Sequence, residues 1–408
     1  MLRRRSAPPD RFQARDTPLF VSSQLQPRKI TFTTRPAMSF LPVLLSVAAI
    51  LAPPLSSATT TEAPNLSGDE RDELSRDLTR WQKKFGNDDH VRTAMGLVRG
   101  TLTTDDLLWR LKAAKDELPT LRAANPYATF SHLTKFALLT DIEFAQFASS
   151  PSPVPPPVAL PAAATLNRSA VGGIVVSVVD WTKQSVCVAP AKWIGKCRSD
   201  WAIMAAAAVS SAHCLATGEA INLSVQQVLS CTYMGGSESC SGPGTPFDGM
   251  QWLVRQSSAL CTGSAIPYTS GHSGVAPFCS DNAECAGSIS LQVGVAVEAR
   301  GEAALEKQLQ KQPVVAYATT NNYVWRQYTG GLLSWCPSGR LDQAVLVVGF
   351  GTEDFGFSLP PTRFFKVRNA WGPDWGENGD IRLARGPGAG DFSPCNITSY
   401  FTYPTLQL

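Results

Sequence analysis

From Asp69 to about Ala148 the apolar side chains return every three or four positions: Leu74, Leu78, Trp81 and Phe85 form one stripe, and Leu107, Leu108, Leu111 and Leu118 a second. That period lines one face of a helix, so the region reads as a small helical domain. Upstream, Phe40 to Ala52 is apolar apart from Ser46. Downstream, residues 201–217 are dominated by alanine, the best helix former, and Gly218 supplies a stop. Ser224 and Gln227 stand at the spacing of a capping box that opens another helix. Pro313 to Ala318, Ala344 to Phe350 and Phe364 to Val367 are β-rich runs punctuated by glycine or proline. Between the two halves, Ser149 to Ala164 carries Pro151, Pro153, Pro155, Pro156, Pro157 and Pro161. Such a stretch favours extended polyproline II and builds no core, so it reads as a hinge open to proteolysis.

Composition changes this picture in three ways. All ten cysteines lie from Cys187 onward, and an even count behind an apolar leader indicates disulfides in an oxidising compartment. Only Cys279 and Cys285 sit close together and no paired histidines accompany them, so neither a metal site nor a cofactor is expected. The run Phe40–Ala52, followed by the small residues Ser56-Ser57-Ala58, reads as a secretory signal within a leader of residues 1–58. At 13 residues it is too short to span a bilayer comfortably, so no stable membrane anchor is expected. Met38 immediately precedes the run and is the expected start; an organelle transit peptide is the alternative. Residues 1–37 hold a surplus of 6 positive charges, so removing the leader turns the formal +3 of the chain into −3. The mature protein therefore offers no electrostatic case for binding nucleic acid. Sequons at Asn65, Asn167, Asn222 and Asn396 fit a secreted glycoprotein, with lysosome or vacuole as the alternative destination.

The stretch from Pro190 to Ile203 reads as a turn delivering one side chain to the first turn of a buried helix, where the dipole favours negative charge. It resembles the catalytic loop of papain-family cysteine proteases, with Cys197 and Trp201 at their family positions and Asp200 where the nucleophilic cysteine belongs. Several motifs extend the resemblance from Val178-Val179-Asp180-Trp181 to the C-terminus. Leu341-Asp342-Gln343-Ala344-Val345 is similar to the family's D-H-A-V, with Gln343 in place of the histidine. Arg368-Asn369-Ala370-Trp371-Gly372 is similar to K-N-S-W-G, and Trp371 to Gly379 continues as W-G-x-x-W-G-E-N-G. The position of the oxyanion glutamine, before Gly195, holds Ile194. In the helical region, Arg110 and Asn125 keep two positions of the inhibitory pro-region pattern, while Asp106, Ala114, Glu117 and Leu121 depart from it. Phe136-Ala137-Leu138-Leu139-Thr140 with Glu143-Phe144 resembles F-A-D-L-T-x-x-E-F.

The resemblance implies an α+β, two-lobe fold, one lobe helical and one β-rich, with substrate lying between them. It divides the chain into the leader, a degenerate pro-region at 66–148, a Pro/Ala-rich linker at 149–172 and a papain-like domain at 173–408. It also implies the disulfides Cys197–Cys240, Cys231–Cys279 and Cys336–Cys395; sequence proximity alone suggests 187 with 214 and 261 with 285. Cys240-Ser241-Gly242-Pro243-Gly244-Thr245 replaces the family's C-N-G-G, and the proline there removes a backbone donor, which puts ordinary peptide pairing in doubt.

Cysteine-protease chemistry needs a thiolate, an imidazole to activate it, a group orienting the imidazole, and oxyanion donors. Of these four positions only Asn369 keeps its residue; a glutamine amide cannot shuttle a proton. Making Ser199 the nucleophile fails, because Cys197 and Trp201 fix the register and no histidine would serve it. His213, 13 residues along the helix, reads as a helix-face residue, and His272, in a Gly/Ser loop, as solvated. Asp200 is expected either as a simple helix N-terminal acid or as acceptor of a hydrogen bond from the Gln343 amide. The chain therefore reads as a cysteine-peptidase homologue without proteolysis, a binding, decoy or scaffold protein whose partner is a peptide, a protease inhibitor or another protein. The alternatives are a hydrolase using Asp200, with Asp342 as a second acid, and a structural protein whose cleft is closed.

Overall fold

Ser67 caps the first helix, its side chain accepting from Glu70 N, and the stripe of Leu74, Leu78, Trp81 and Phe85 is buried along it. The computed structural model describes residues 66–95, 102–148, 179–233, 240–241, 244–256, 260–279, 285, 289–353, 362–386 and 393–407. The chain divides into two units, residues 1–61 and 62–408, and all that follows concerns the second. The leader, the hinge, Asn65, Asn167, Gly242 and Pro243 lie outside the described residues.

The N-terminal region holds helices α1 (Gly68–Phe85), α2 (Asp89–Met95), α3 (Thr104–Ala124) and α4 (Asp141–Ala148), with strand β1 (Ala128–Phe130) between α3 and α4. Thr103 and Asp106 form a reciprocal capping box on α3. The first stripe meets Leu107, Leu108 and Leu111 of the second in one core that Val91, Ala137 and Leu138 complete, while Leu118 packs into the core of the C-terminal region.

The C-terminal region continues with β2 (Val179–Asp180), α5 (Trp181–Gln184), α6 (Asp200–Thr217), α7 (Val225–Cys231), α8 (Pro246–Arg255) and α9 (Ser270–Ser273). After them come β3 (Val293–Ala299), α10 (Glu302–Leu309), β4 (Val314–Ala318), α11 (Tyr323–Gln327), β5 (Tyr328–Leu333), β6 (Gln343–Glu353), β7 (Thr362–Arg368), β8 (Asp380–Ala384) and β9 (Phe401–Leu406). The strands run β1-β5-β8-β7-β6-β4-β9-β3 in one sheet, with β2 also pairing β6. Helices and a largely antiparallel sheet are thus segregated along the chain, which is the expected α+β class.

Alanine decides how α6 packs: Ala202, Ala205, Ala206 and Ala208 are buried, and their small side chains let α6 lie against α7, α8, β6 and β9. Gly218 ends α6 in the left-handed conformation, as the sequence predicts. At α7 only half of the capping box forms. Ser224 Oγ accepts from Gln227 N at 3.1 Å, but Gln227 Oε1 accepts from Cys261 N instead of reaching back. The disulfides are Cys187–Cys214, Cys197–Cys240, Cys231–Cys279, Cys261–Cys285 and Cys336–Cys395, the pairing set out above.

The N-terminal region is joined to the C-terminal one by more than chain continuity. β1 adds to β5 in antiparallel register, Ala128 facing Gly331. Asn125 Oδ1 accepts from Ser334 N and Trp335 N at 3.0 and 2.7 Å. Glu117 and Asp141 hold the buried guanidinium of Arg326. Phe136 and Phe147 lie against Trp193, and Phe136 and Phe144 against Trp371. The buried Lys135 donates to Trp371 O and Asp374, and its ammonium lies 4.7 Å from the Trp193 ring centroid.

Candidate active site

Asp200 is the first residue of α6, where the helix dipole favours its charge. It is also 1% exposed, and a buried carboxylate is costly without a donor. The donor is the backbone of β6: Ala344 N lies 2.6 Å from Asp200 Oδ2. This bond ties the helical part of the domain to the sheet.

Gln343, 1% exposed, precedes that donor and directs its amide elsewhere. Its Nε2 donates to Asn369 Oδ1 at 2.7 Å, and its Oε1 accepts from Thr320 Oγ1 at 2.8 Å. The expected bond from the Gln343 amide to Asp200 is therefore replaced at Oδ2 by the Ala344 backbone, while the amide satisfies Asn369. Asn369 is fully buried; its Oδ1 also accepts from Ala370 N at 2.7 Å, and its Nδ2 has no partner among the described residues. Ile194, 2% exposed, is held by its backbone: its N donates to Ala370 O at 2.8 Å and its O accepts from Tyr268 Oη at 2.7 Å. Gly195 has φ +68°, and a Cβ there would stand 2.1 Å from Gly271 O, so only glycine fits this turn. The four positions named from the sequence thus come together, but they bring a carboxylate, an amide and an aliphatic side chain beside Asn369, with no thiol, no imidazole and no side-chain oxyanion donor among them.

Three neighbours carried no signal in the sequence. Thr320 Oγ1 bridges Gln343 Oε1 and Asp342 Oδ1, and Tyr268 Oη lies against Ser199 Oγ as well as Ile194 O. Burial, reinforced by the nearby Asp200 charge, holds the Tyr268 hydroxyl above its ordinary range. The third is the Ala344 N–H itself, which any residue but proline would present.

His213 is buried at the far part of α6, with Nδ1 accepting from Gln292 N at 3.1 Å, and His272 is exposed on α9. Neither joins the buried Asn369. All ten cysteines are in disulfides, so Cys197 offers no thiol. Among the described residues there is no cluster suited to a metal ion.

Asp342 adds a second acid. Burial pushes its carboxyl up to about 7 despite hydrogen bonds from Thr320 and Asn321, and the Asp200 charge adds to the rise. An unfolded aspartate loses its proton near 3.9. The folded protein therefore holds this proton more tightly, and its contribution to stability is full below about pH 4 and is lost as pH rises through about 7. Carbon-13 NMR of the Asp342 side chain is expected to titrate near 7, and Asp200→Asn to lower that midpoint. A midpoint in the ordinary aspartate range would contradict the burial described here.

Residues 175–405 match the family described as papain family cysteine protease. Cysteine protease 1 of Oryza sativa subsp. japonica is 32% identical over 226 residues, 55% of this chain and 44% of the rice protein. The chain thus spans less than half of that relative. Cysteine proteinase A of Leishmania mexicana is 31% identical over 303 residues, 73% of this chain and 79% of the Leishmania protein. In fold, the chain resembles the proform of the ragweed pollen cysteine protease Amb a 11, with a TM-score of 0.65 and 20% identity over 84% of this chain and 96% of that one. The recombinant stem bromelain precursor gives 0.61 and 22% over 82% and 100%.

Proposed function

The chain belongs to the papain family of cysteine proteases, and we propose that it has kept the family fold while losing peptide cleavage, serving as a binding or decoy protein. The observation that carries this reading is the residue set at the site. A carboxylate, Asp200, stands where a thiolate is needed, an amide, Gln343, where an imidazole is needed, and every cysteine is in a disulfide. A carboxylate is a poor acyl-transfer nucleophile, and Gln343 has no proton to exchange near neutral pH. Ile194 adds no side-chain donor for a tetrahedral oxygen.

The partner on this reading is a peptide or a protease inhibitor drawn to a protease-shaped surface. The five disulfides fit a secreted protein, or one of a lysosome or vacuole. Among the described residues no helix is long and apolar enough to cross a membrane. Residues 66–148 serve on this reading as a pro-region released by cutting within 149–172.

An active papain-family protease mixed with its protein inhibitor tests the decoy role. Adding an excess of the hinge-cleaved chain is expected to restore the protease's activity; no restoration at any excess counts against an inhibitor partner.

Asp342 beside Asp200 favours a second reading, a hydrolase built on two acids. Both Asp342 oxygens are already engaged, Oδ1 by Thr320 N and Oγ1 and Oδ2 by Asn321 N, which leaves that reading weaker.

A further inference from the structure

Further along α6, an opening of about 190 Å³ lies between the segment from Val186 to Lys192, the helix and residues 220–223. It is separate from the site above: Ser210 in its wall is ten residues past Asp200, about 15 Å along the helix. Its lining is mostly apolar, from Ala206, Ala207, Ile221 and the Cys187–Cys214 disulfide. The rim includes Val186, 83% exposed, and the exposed Asn222, so the space opens to solvent.

One charged residue lines it among the described residues, Lys192. Its ammonium has three donors, and the partner the structure gives it is a neutral one, Asn222 Oδ1 at 2.8 Å. No carboxylate pairs with it among the described residues, and burial alone holds its pKa below the ordinary lysine value. A half-buried cation without a counter-charge, facing an apolar space, is stabilised by an anion that brings its own apolar body. The size is suitable, since an apolar cavity of about 150 Å³ is enough to hold benzene.

We propose that this opening binds a small carboxylic acid, its carboxylate meeting Lys192 Nζ and its apolar body lying against Ala206, Ala207 and Ile221. This ligand is independent of peptide cleavage and of the decoy role.

Benzoate is the probe, with benzyl alcohol and benzylamine as controls of the same size and different charge. They are titrated by calorimetry into the full chain, produced in a host that does not glycosylate Asn222. Benzoate is expected to bind saturably, benzyl alcohol at least about tenfold more weakly, and benzylamine not at all. Lys192→Met is expected to bring benzoate down to the level of benzyl alcohol without changing the melting temperature. Ala207→Leu, at a half-buried position, is expected to weaken both by narrowing the space. Equal binding of benzoate and benzyl alcohol, benzoate binding that survives Lys192→Met, or no saturable benzoate binding would each overturn the proposal.

Discussion

Placing cysteine at 200, histidine at 343 and glutamine at 194 together is expected to raise peptide hydrolysis by the hinge-cleaved chain at least about 10³-fold over the parent. Each single replacement should stay within about tenfold of it. The contrast follows from how such groups act: in subtilisin, removing the nucleophile or the base alone costs about as much as removing the whole set. The scaffold they need is still present. Residue 343 already reaches Asn369 Oδ1 at 2.7 Å, so a histidine there has its orienting acceptor waiting. Position 200 opens α6 and reaches the Ala344 backbone, so a thiol there meets the helix dipole and stands beside the segment that carries the new imidazole. Ile194 is held by backbone bonds that a glutamine would keep. Stoichiometric labelling by a thiol-directed electrophile reports whether the new cysteine is reached. A labelled, folded triple variant with no gain in hydrolysis would mean that the lobes no longer stand at a working separation.

Phe136→Ala is expected to cost about 3–5 kcal/mol, because it empties a ring site that is fully buried. Phe136 lies 5.3 Å from both Phe144 and Trp371 and 5.9 Å from Phe147, measured between ring centroids. It therefore joins the N-terminal region to the tryptophan loop of the C-terminal one. A lowering of the melting temperature by about 10 °C is expected, with the N-terminal region becoming protease-sensitive first. Ile142→Ala is the control: at 81% exposure its effect should stay within about 0.5 kcal/mol. Equal effects from the two would contradict the packing described.

Much of this was legible in the sequence because it rests on local rules. The alanine run and Gly218 give α6 and its end, and the stripe of Leu74, Leu78, Trp81 and Phe85 gives the buried face of α1; the disulfides were legible differently, three through the family resemblance and two through proximity along the chain. What the sequence hid are contacts between distant segments. The Ala344 N–H that meets Asp200 is 144 residues away and carries no side-chain signature. Gln227 Oε1 accepts from Cys261 N across 34 residues, where the sequence pattern pointed it back to Ser224. Glu117 departs from the pro-region pattern, yet it accepts from Arg326 and Gln327, partners 209 and 210 residues on. Burial raises the Glu117 pKa against the pull of Arg326, which marks how enclosed that contact is. Lys135 sits in no motif, and only the folded chain shows it closing on Trp371 and Asp374.

The most direct measurement is incubation of the refolded, hinge-cleaved chain of natural sequence with a mixed peptide library, read by mass spectrometry beside its Asp200→Ala variant. With Asp200 held by the Ala344 backbone and the Gln343 amide engaged by Asn369 and Thr320, no cleavage product is expected from either form. Turnover by the natural sequence that disappears in Asp200→Ala would contradict the account and make Asp200 the working group of an enzyme.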